Sequence, residues 1–297
     1  MLNGTTWSLA RFGARLRQAG DLARPPQKKL SRVLSIASGK GGTGKSVLTA
    51  SLGALFARAG RTLIVDADMG VGNAHILQDL SPRATCVDVV EGRLSAREVL
   101  VHARPELDLV AAGSGVSRMA GLTNFELHLV GCALESLETD YSSVLVDSAA
   151  GISPQTISFA AASDLVLIVT TPDVTALTDA YAFLKVLLQR RPDCAPLFVV
   201  NRATSAEEGA AVAERLRSVS RKFLGREPRC LGWIPEDRAV VHSVAARQPL
   251  VIAEPDSPAA EALERLAQAL QRELEGHTPR GLGRQLLRTI ASTPKIA

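Results

Sequence analysis

The chain has four cysteines in 297 residues, and no two stand close together: Cys86, Cys132, Cys194 and Cys230. Without a C-x-x-C pair, one chain has no cysteine set for a zinc or iron–sulfur centre, and thiols this scattered suit a reducing compartment. The five histidines lack an H-x-x-x-H spacing, which removes another common route to a metal site. Aromatics make up 4% of residues, too few for recognition by stacking platforms. No apolar run approaches the roughly 20 residues that a membrane-spanning helix needs. The N-terminus carries arginines but no apolar core or cleavage signal of a secretory leader, so a cytoplasmic protein is expected.

The composition is that of an ordinary globular protein, 46% hydrophobic and 22% charged. The net charge of +4 is unevenly spread. Residues 1–32 hold seven Lys/Arg and one acid, residues 277–297 hold four and none, and residues 33–276 hold 23 against 29. Both ends are therefore basic and the body is acidic. A basic end suits nucleic acid, anionic lipid or an acidic partner, or is simply solvated. The acidic body weighs against broad DNA binding, and no strong nucleic-acid signal is present.

Three regions follow. Residues 1–32 form a basic N-terminal helix and linker: Leu9, Phe12, Leu16 and Ala19 recur at helical spacing until Arg24-Pro25-Pro26 stops them. Residues 33–276 alternate short apolar runs with helical stretches. The runs are VLSIAS (33–38), TLIVDAD (62–68), LDLVAAG (107–113), SSVLVDS (142–148), DLVLIVTT (164–171), PLFVVN (196–201) and RCLGWI (229–234). Helices are expected at Ser46–Arg58, Asn124–Glu138, Ala176–Gln189, Glu207–Phe223 and 258–276. Runs apolar on both faces belong to a parallel sheet covered on both sides, so the fold expected is α/β, doubly wound, with a mostly parallel sheet. Residues 277–297 read as a separate basic amphipathic tail. In it Leu282, Leu286, Leu287 and Ile290 share one helix face, while Arg280, Arg284 and Arg288 share another. Such a helix binds anionic lipid weakly, or packs on the body or on a partner.

Between the first run and the first helix lies Gly39-Lys40-Gly41-Gly42-Thr43-Gly44-Lys45-Ser46, which fits G-x-x-x-x-G-K-[ST]. Glycines let the backbone turn with its N–H groups aimed inward, and the helix N-terminus adds its dipole, so the loop suits phosphate. In this pattern Lys45 reaches the β- and γ-phosphates and the Ser46 hydroxyl ligates Mg²⁺, with Val47 following on the helix. Asp147 ends its run and is suited to holding Mg²⁺ through water, with the N–H of Gly151 near the γ-phosphate. Asp66 and Asp68 also end a run; ordinary helix-capping acids are the alternative for all three.

These residues together resemble the deviant Walker A ATPases, the MinD/ParA group, whose mark is K-G-G-x-G-K-[ST], here Lys40 to Ser46. Asp66-Ala67-Asp68 and Asp147-Ser148-Ala149-Ala150-Gly151 are its second and third marks, and the likeness runs from about residue 33 to 275. DADMGVGNAHILQDL (66–80), VDSAAGIS (146–153), TTPDVTALTDAYAFLK (170–185), VVNRATSAEEG (199–209), LGWIPEDRAVVHSVAARQPLV (231–251) and the tail's PRGLGRQLL point within the group to the FlhG branch (also FleN or YlxH). Its members control flagellar number and placement.

The resemblance implies a Mg²⁺-dependent ATPase that cycles between ATP and ADP. It implies that Lys40 crosses to the nucleotide of a second copy in an ATP-bound homodimer. It gives Asp68 the attacking water, places Asp66 near the metal shell beside Ser46 and Asp147, and frames adenine with Asn201, Arg202, Pro235 and Asp237. An Asn at 201 also suits a helix cap. Implied partners are the flagellar GTPase FlhF or a flagellar transcriptional regulator, and the inner face of the cell membrane, bound reversibly through the tail. The neighbouring readings are a MinD-like division-site ATPase, a ParA-like segregation ATPase, and an adaptor that binds ATP without hydrolysing it. There are departures from the branch. His75 stands where an acid is usual, Gln78-Asp79 replaces a small or apolar pair, which suggests altered partner contacts, and Ala14-Arg15-Leu16-Arg17-Gln18 does not reproduce the D-Q-A-x-x-L-R activator motif.

Overall fold

The computed structural model describes residues 29–70, 72–113 and 122–291. The amphipathic stretch at Ser8–Ala23 lies outside them. Eight strands form one sheet: β1 (Arg32–Ser38), β2 (Thr62–Ala67), β3 (Leu100–Arg104), β4 (Leu107–Val110), β5 (Ser143–Ala150), β6 (Leu165–Thr170), β7 (Leu197–Ala203) and β8 (Arg229–Pro235). Their order is β3-β4-β2-β5-β1-β6-β7-β8. All neighbours are parallel except the edge pair β3 and β4.

Among the described residues ten α-helices accompany them, the last four after β8: α1 (Lys45–Ala57), α2 (Cys86–Val90), α3 (Asn124–Leu137), α4 (Pro154–Ala162), α5 (Val174–Arg190), α6 (Ala206–Leu224), α7 (Arg238–Ala245), α8 (Leu250–Ala253), α9 (Pro258–Glu275) and α10 (Leu282–Ala291). Alternate strand residues face opposite layers. In β1, Leu34 and Ile36 pack under α1, α8 and α9, whereas Val33 and Ala37 face the layer that holds α3 to α6. The seven expected runs are all strands and the five expected helices are all present.

Local chemistry sets the helix ends. Ser257 caps α9, Pro258 fills its first position, Glu261 lies in its first turn and Arg272 in its last. Helix α1 is buried almost throughout, and its small residues let it lie close to the sheet; a Cβ at Gly53 would stand 2.6 Å from Ile64 Cδ1.

The tail is not separate. Leu282 and Leu286 are buried in the core layer of α3 and α4, and Leu287 lies half-buried against Gly131. Burying each leucine contributes about 1.5–3 kcal/mol. Arg284 and Arg288 are exposed, as expected of the basic face, but Arg280 lies before the helix and half-buried, and the leucines of the apolar face meet the body. Nothing is described for the side chain of Ile290. At Gly283 the helix crosses α3 backbone to backbone: a Cβ there would run into the Gly131 carbonyl and the Glu135 amide.

Both ends of α10 are tied. Gly283 donates its N–H to Glu138 Oε1 at the helix start, and Arg190 Nη2 donates to the Thr289 carbonyl at 2.6 Å near its end. A carboxyl at the N-terminus, when ionised, and a cation at the C-terminus complement the helix dipole. Burial raises the Glu138 carboxyl to about 7, with the Gly283 hydrogen bond opposing. Arg280, just before the helix, donates its N–H to Asp164 Oδ1 at 3.0 Å and its guanidinium to the Ser163 carbonyl at 2.8 Å.

Gly283→Ala is therefore expected to destabilise the protein by about 1–3 kcal/mol through overpacking. It should also make the chain after residue 280 easier to cleave with trypsin. Unchanged melting and unchanged cleavage would show that α10 does not rest on α3.

Candidate nucleotide site

The carboxyl ends of the central strands converge beside β1, where open parallel sheets place their ligands. The glycine loop leaves β1 after Ser38 and enters α1 at Lys45. Gly42 and Gly44 have positive φ of 79° and 92°, a region that only glycine enters readily. Two distant contacts fix the loop. Asn201 at the end of β7 donates its amide to the Thr43 carbonyl at 2.8 Å, and it would meet any side chain at Gly44. A Cβ at Gly39 would collide with the Asp179 carbonyl of α5. Ser38 Oγ donates to the Lys40 carbonyl at 2.6 Å.

Lys45 is buried, and burial pulls its ammonium pKa down against the opposing pull of Asp147 and Asp68. Asp147 lies under the helix start. It accepts from Thr49 Oγ1 at 3.1 Å and from the Ser46 hydroxyl. Burial pushes its carboxyl up to about 6, although these hydroxyls and Lys45 favour the charged form. Asp66 pairs with Asp147 across β2 and β5 and is fully buried. Burial first, and then the Asp147 charge, hold its carboxyl well above the usual range.

The oxygens of Asp66 also have a role that the sequence did not reveal. Oδ1 accepts the Asp68 N–H and Oδ2 the Ala74 N–H, both at 3.1 Å. Asp66 thus ties down the loop after β2, whose Gly72 comes so close that a Cβ would lie 2.5 Å from Oδ2. Asp68, the outer acid, is half-buried.

The residues fit a phosphate and a divalent cation. A Cβ at Gly41, Gly42 or Gly151 would meet nothing within 4 Å, so the loop borders open space. The Thr43 hydroxyl is buried without a partner. Ser46, Asp66 and Asp147 give an oxygen-only set near Lys45, the donor chemistry of Mg²⁺. Val47 follows on α1, half-buried.

Other expected contacts sit differently. The Gly151 N–H donates to the Ser38 carbonyl at 3.0 Å and so joins β5 to the root of the loop. The Asp237 carboxylate is engaged within the fold: Oδ1 caps α7 through the Ala239 N–H at 2.9 Å and Oδ2 takes the Ala259 N–H at 3.2 Å. Its carboxylate is taken up by two helix starts. Arg202 has a positive φ of 60° and points to Glu236, 3.1 Å away, at the surface. Pro235 pairs with Ala203 at the bulged end of β7 and β8. Asn201 lies in β7 and clamps the loop through its amide, so it is not a helix cap. Gln78 is buried and bridges the Ala50 carbonyl and Arg104, at 3.2 and 3.1 Å, so it offers no partner contact. The His75 ring is half-buried, with Nδ1 unpartnered and burial lowering its pKa.

A glycine loop between β1 and α1, with acids at the neighbouring strand ends, defines a doubly wound P-loop nucleotide-binding protein. Residues 34–250 match the CobQ/CobB/MinD/ParA nucleotide binding domain, and the chain belongs to that family. It is 32% identical to the antiactivator FleN of Pseudomonas aeruginosa over 251 residues, 84% of this chain and 90% of FleN. It is 28% identical to the flagellum site-determining protein YlxH of Helicobacter pylori over 247 residues, 82% of this chain and 83% of YlxH. The cell division ATPase MinD of Pyrococcus furiosus superposes with a TM-score of 0.70 at 25% identity, over 82% of this chain and all of MinD. The likeness to the FlhG branch and the MinD-like fold are therefore established.

Asn201→Ala would leave the Thr43 carbonyl without its donor. Nucleotide affinity is expected to fall about 3- to 10-fold, the range that one hydrogen bond contributes. Titration with a fluorescent ADP would read this, and unaltered affinity would remove Asn201 from the clamp.

Proposed function

We propose that the chain is an ATP-dependent dimerising switch that hydrolyses ATP to ADP and phosphate and regulates flagellar number or placement. The flagellar part is supported by the likeness to FleN and YlxH together. The name antiactivator suggests a transcriptional activator as partner, and the name site-determining suggests placement; FlhF remains the alternative partner. The observation that carries the switch is Lys40. It is exposed, and its ammonium reaches Thr175 of α5, outside its own loop; this supports a reading in which Lys40 serves a second copy.

The loop amides and Lys45 would hold the triphosphate, and Ser46, Asp147 and Asp66 would hold Mg²⁺; a MinD of Pyrococcus horikoshii, alike in fold, was solved with Mg-ADP. Bound Mg²⁺ supplies charge neutralisation between the phosphates. Burial raises both the Asp66 and the Asp147 carboxyls, and a bound cation would stabilise their charged forms. Asp68, at the mouth, orients the attacking water. Lys40 of each chain neutralises charge on the other's nucleotide, so the dimer reports the presence of the γ-phosphate.

A MinD-like positioning ATPase is the second reading. The putative septum site-determining protein MinD of Chlorella vulgaris is 33% identical over 76% of this chain. The packed α10 counts against a reading whose effector is a free membrane tail. No helix among the described residues is long and apolar enough to cross a membrane. We place the protein in the cytoplasm; any reversible membrane contact through α10 requires it to leave α3.

Lys40→Ala should bind ADP as the wild type does but lose the ATP-dependent dimer on size-exclusion chromatography, with turnover reduced at least about 100-fold, as expected when a positive charge that stabilises the transition state is supplied from another subunit. A dimer that persists undiminished would sink the role of Lys40 across the subunit boundary.

A further inference from the structure

Lys40 is not loose at the rim. Its ammonium donates to Thr175 Oγ1 at 2.7 Å, in the first turn of α5. One turn further along, the Asp179 backbone presses on Gly39. Thr175 and Asp179 are four residues apart and so share a helix face. That face is a shelf for the root of the loop, touching Gly39 with its backbone and Lys40 with a hydroxyl. Because Ser38 fixes the Lys40 carbonyl, movement is left to the side chain.

The shelf is a weak place for a cation. It meets the ammonium with a neutral hydroxyl, and it lies at a helix N-terminus, whose partial positive charge repels an ammonium. Asp173, at the N-cap, makes no side-chain bond to the helix and accepts instead from Thr171 Oγ1 at 2.9 Å. Its nearby charge offsets the dipole without gripping Lys40. The position is thus held, yet readily given up to a triphosphate, which offers several anionic oxygens.

We propose that Thr175 is a positioning residue that parks Lys40 in the monomer, and that breaking this contact is part of the cost of forming the ATP-bound dimer. The proposal rests on the reading above that Lys40 serves a second copy. Its consequence is that Thr175 sets the threshold of the switch: with the parking contact removed, less protein is needed for the dimer to form.

Three variants test this by sedimentation velocity in Mg²⁺ with a non-hydrolysable ATP analogue. Thr175→Val and Thr175→Ala both remove the acceptor, one keeping the side-chain shape and the other shrinking it, and Thr175→Ser keeps the hydroxyl. The dimer dissociation constant should fall about 10- to 100-fold in both the Val and Ala variants, because each dimer gives up two parking contacts and each is within the range of one hydrogen bond, about 3- to 10-fold. It should stay within about 2-fold of wild type in the Ser variant, and ADP affinity of the monomer should not change. An unchanged or weaker dimer in either the Val or the Ala variant overturns the proposal; tightening in Val alone marks a gain of apolar contact instead. Lys40→Ala run alongside separates the two ideas. If it loses the dimer while Thr175→Val and Thr175→Ala dimerise as wild type, parking is wrong and the cross-subunit lysine stands. If Lys40→Ala dimerises normally, the cross-subunit reading fails and parking fails with it.

Discussion

Two carboxylates buried side by side repel each other and have lost their water, and the site is built around that constraint. Asp66 and Asp147 are neighbours across β2 and β5 because their strands share a register, and neither reaches solvent. Each group that relieves them also anchors a segment. Lys45 and Thr49 belong to α1, while the amides of Asp68 and Ala74 belong to the loop after β2. Charge compensation and loop placement are therefore the same set of contacts. A cation bound between these two carboxylates, as proposed above, would act on α1 and on the post-β2 loop together.

The opposite pole of the sheet is tied as firmly. The Ser31 N–H donates to the Glu138 carbonyl at 3.0 Å, and the Gly283 N–H donates to the Glu138 carboxylate. One residue at the end of α3 thus joins the strand that feeds the glycine loop to the helix that closes the described chain. Asp164 repeats the pattern, accepting from the Val33 N–H at 2.9 Å and from Arg280. With α10 fastened there, the part of the molecule suited to changing state is the nucleotide face, where Lys40 makes a single exposed contact.

Much of this was legible in the sequence because parallel strands are buried on both faces and stand out as apolar runs. Strand β3, LVHAR, was missed because it is an edge strand with no fully buried residue and no apolar run. The short helices α2, α4, α7 and α8 are too brief to show a period. The glycine loop and the strand-end acids were readable because phosphate chemistry fixes their spacing. The roles of Asn201, Asp237, Gln78 and Gly151 were not, since each depends on a partner far away in the chain: Thr43, Ala259, Arg104 and Ser38. The tail shows the same limit. Its two faces were visible, but Gly131 and Glu138, which receive it, lie about 150 residues earlier in the chain.

In the proposed switch the γ-phosphate, through Lys40, turns a monomer into a dimer. The most direct measurement is the mass of the full-length wild-type protein by sedimentation equilibrium in Mg-ADP and in Mg²⁺ with a non-hydrolysable ATP analogue. The account predicts a monomer with ADP and a dimer with the analogue. The same mass in both would contradict it.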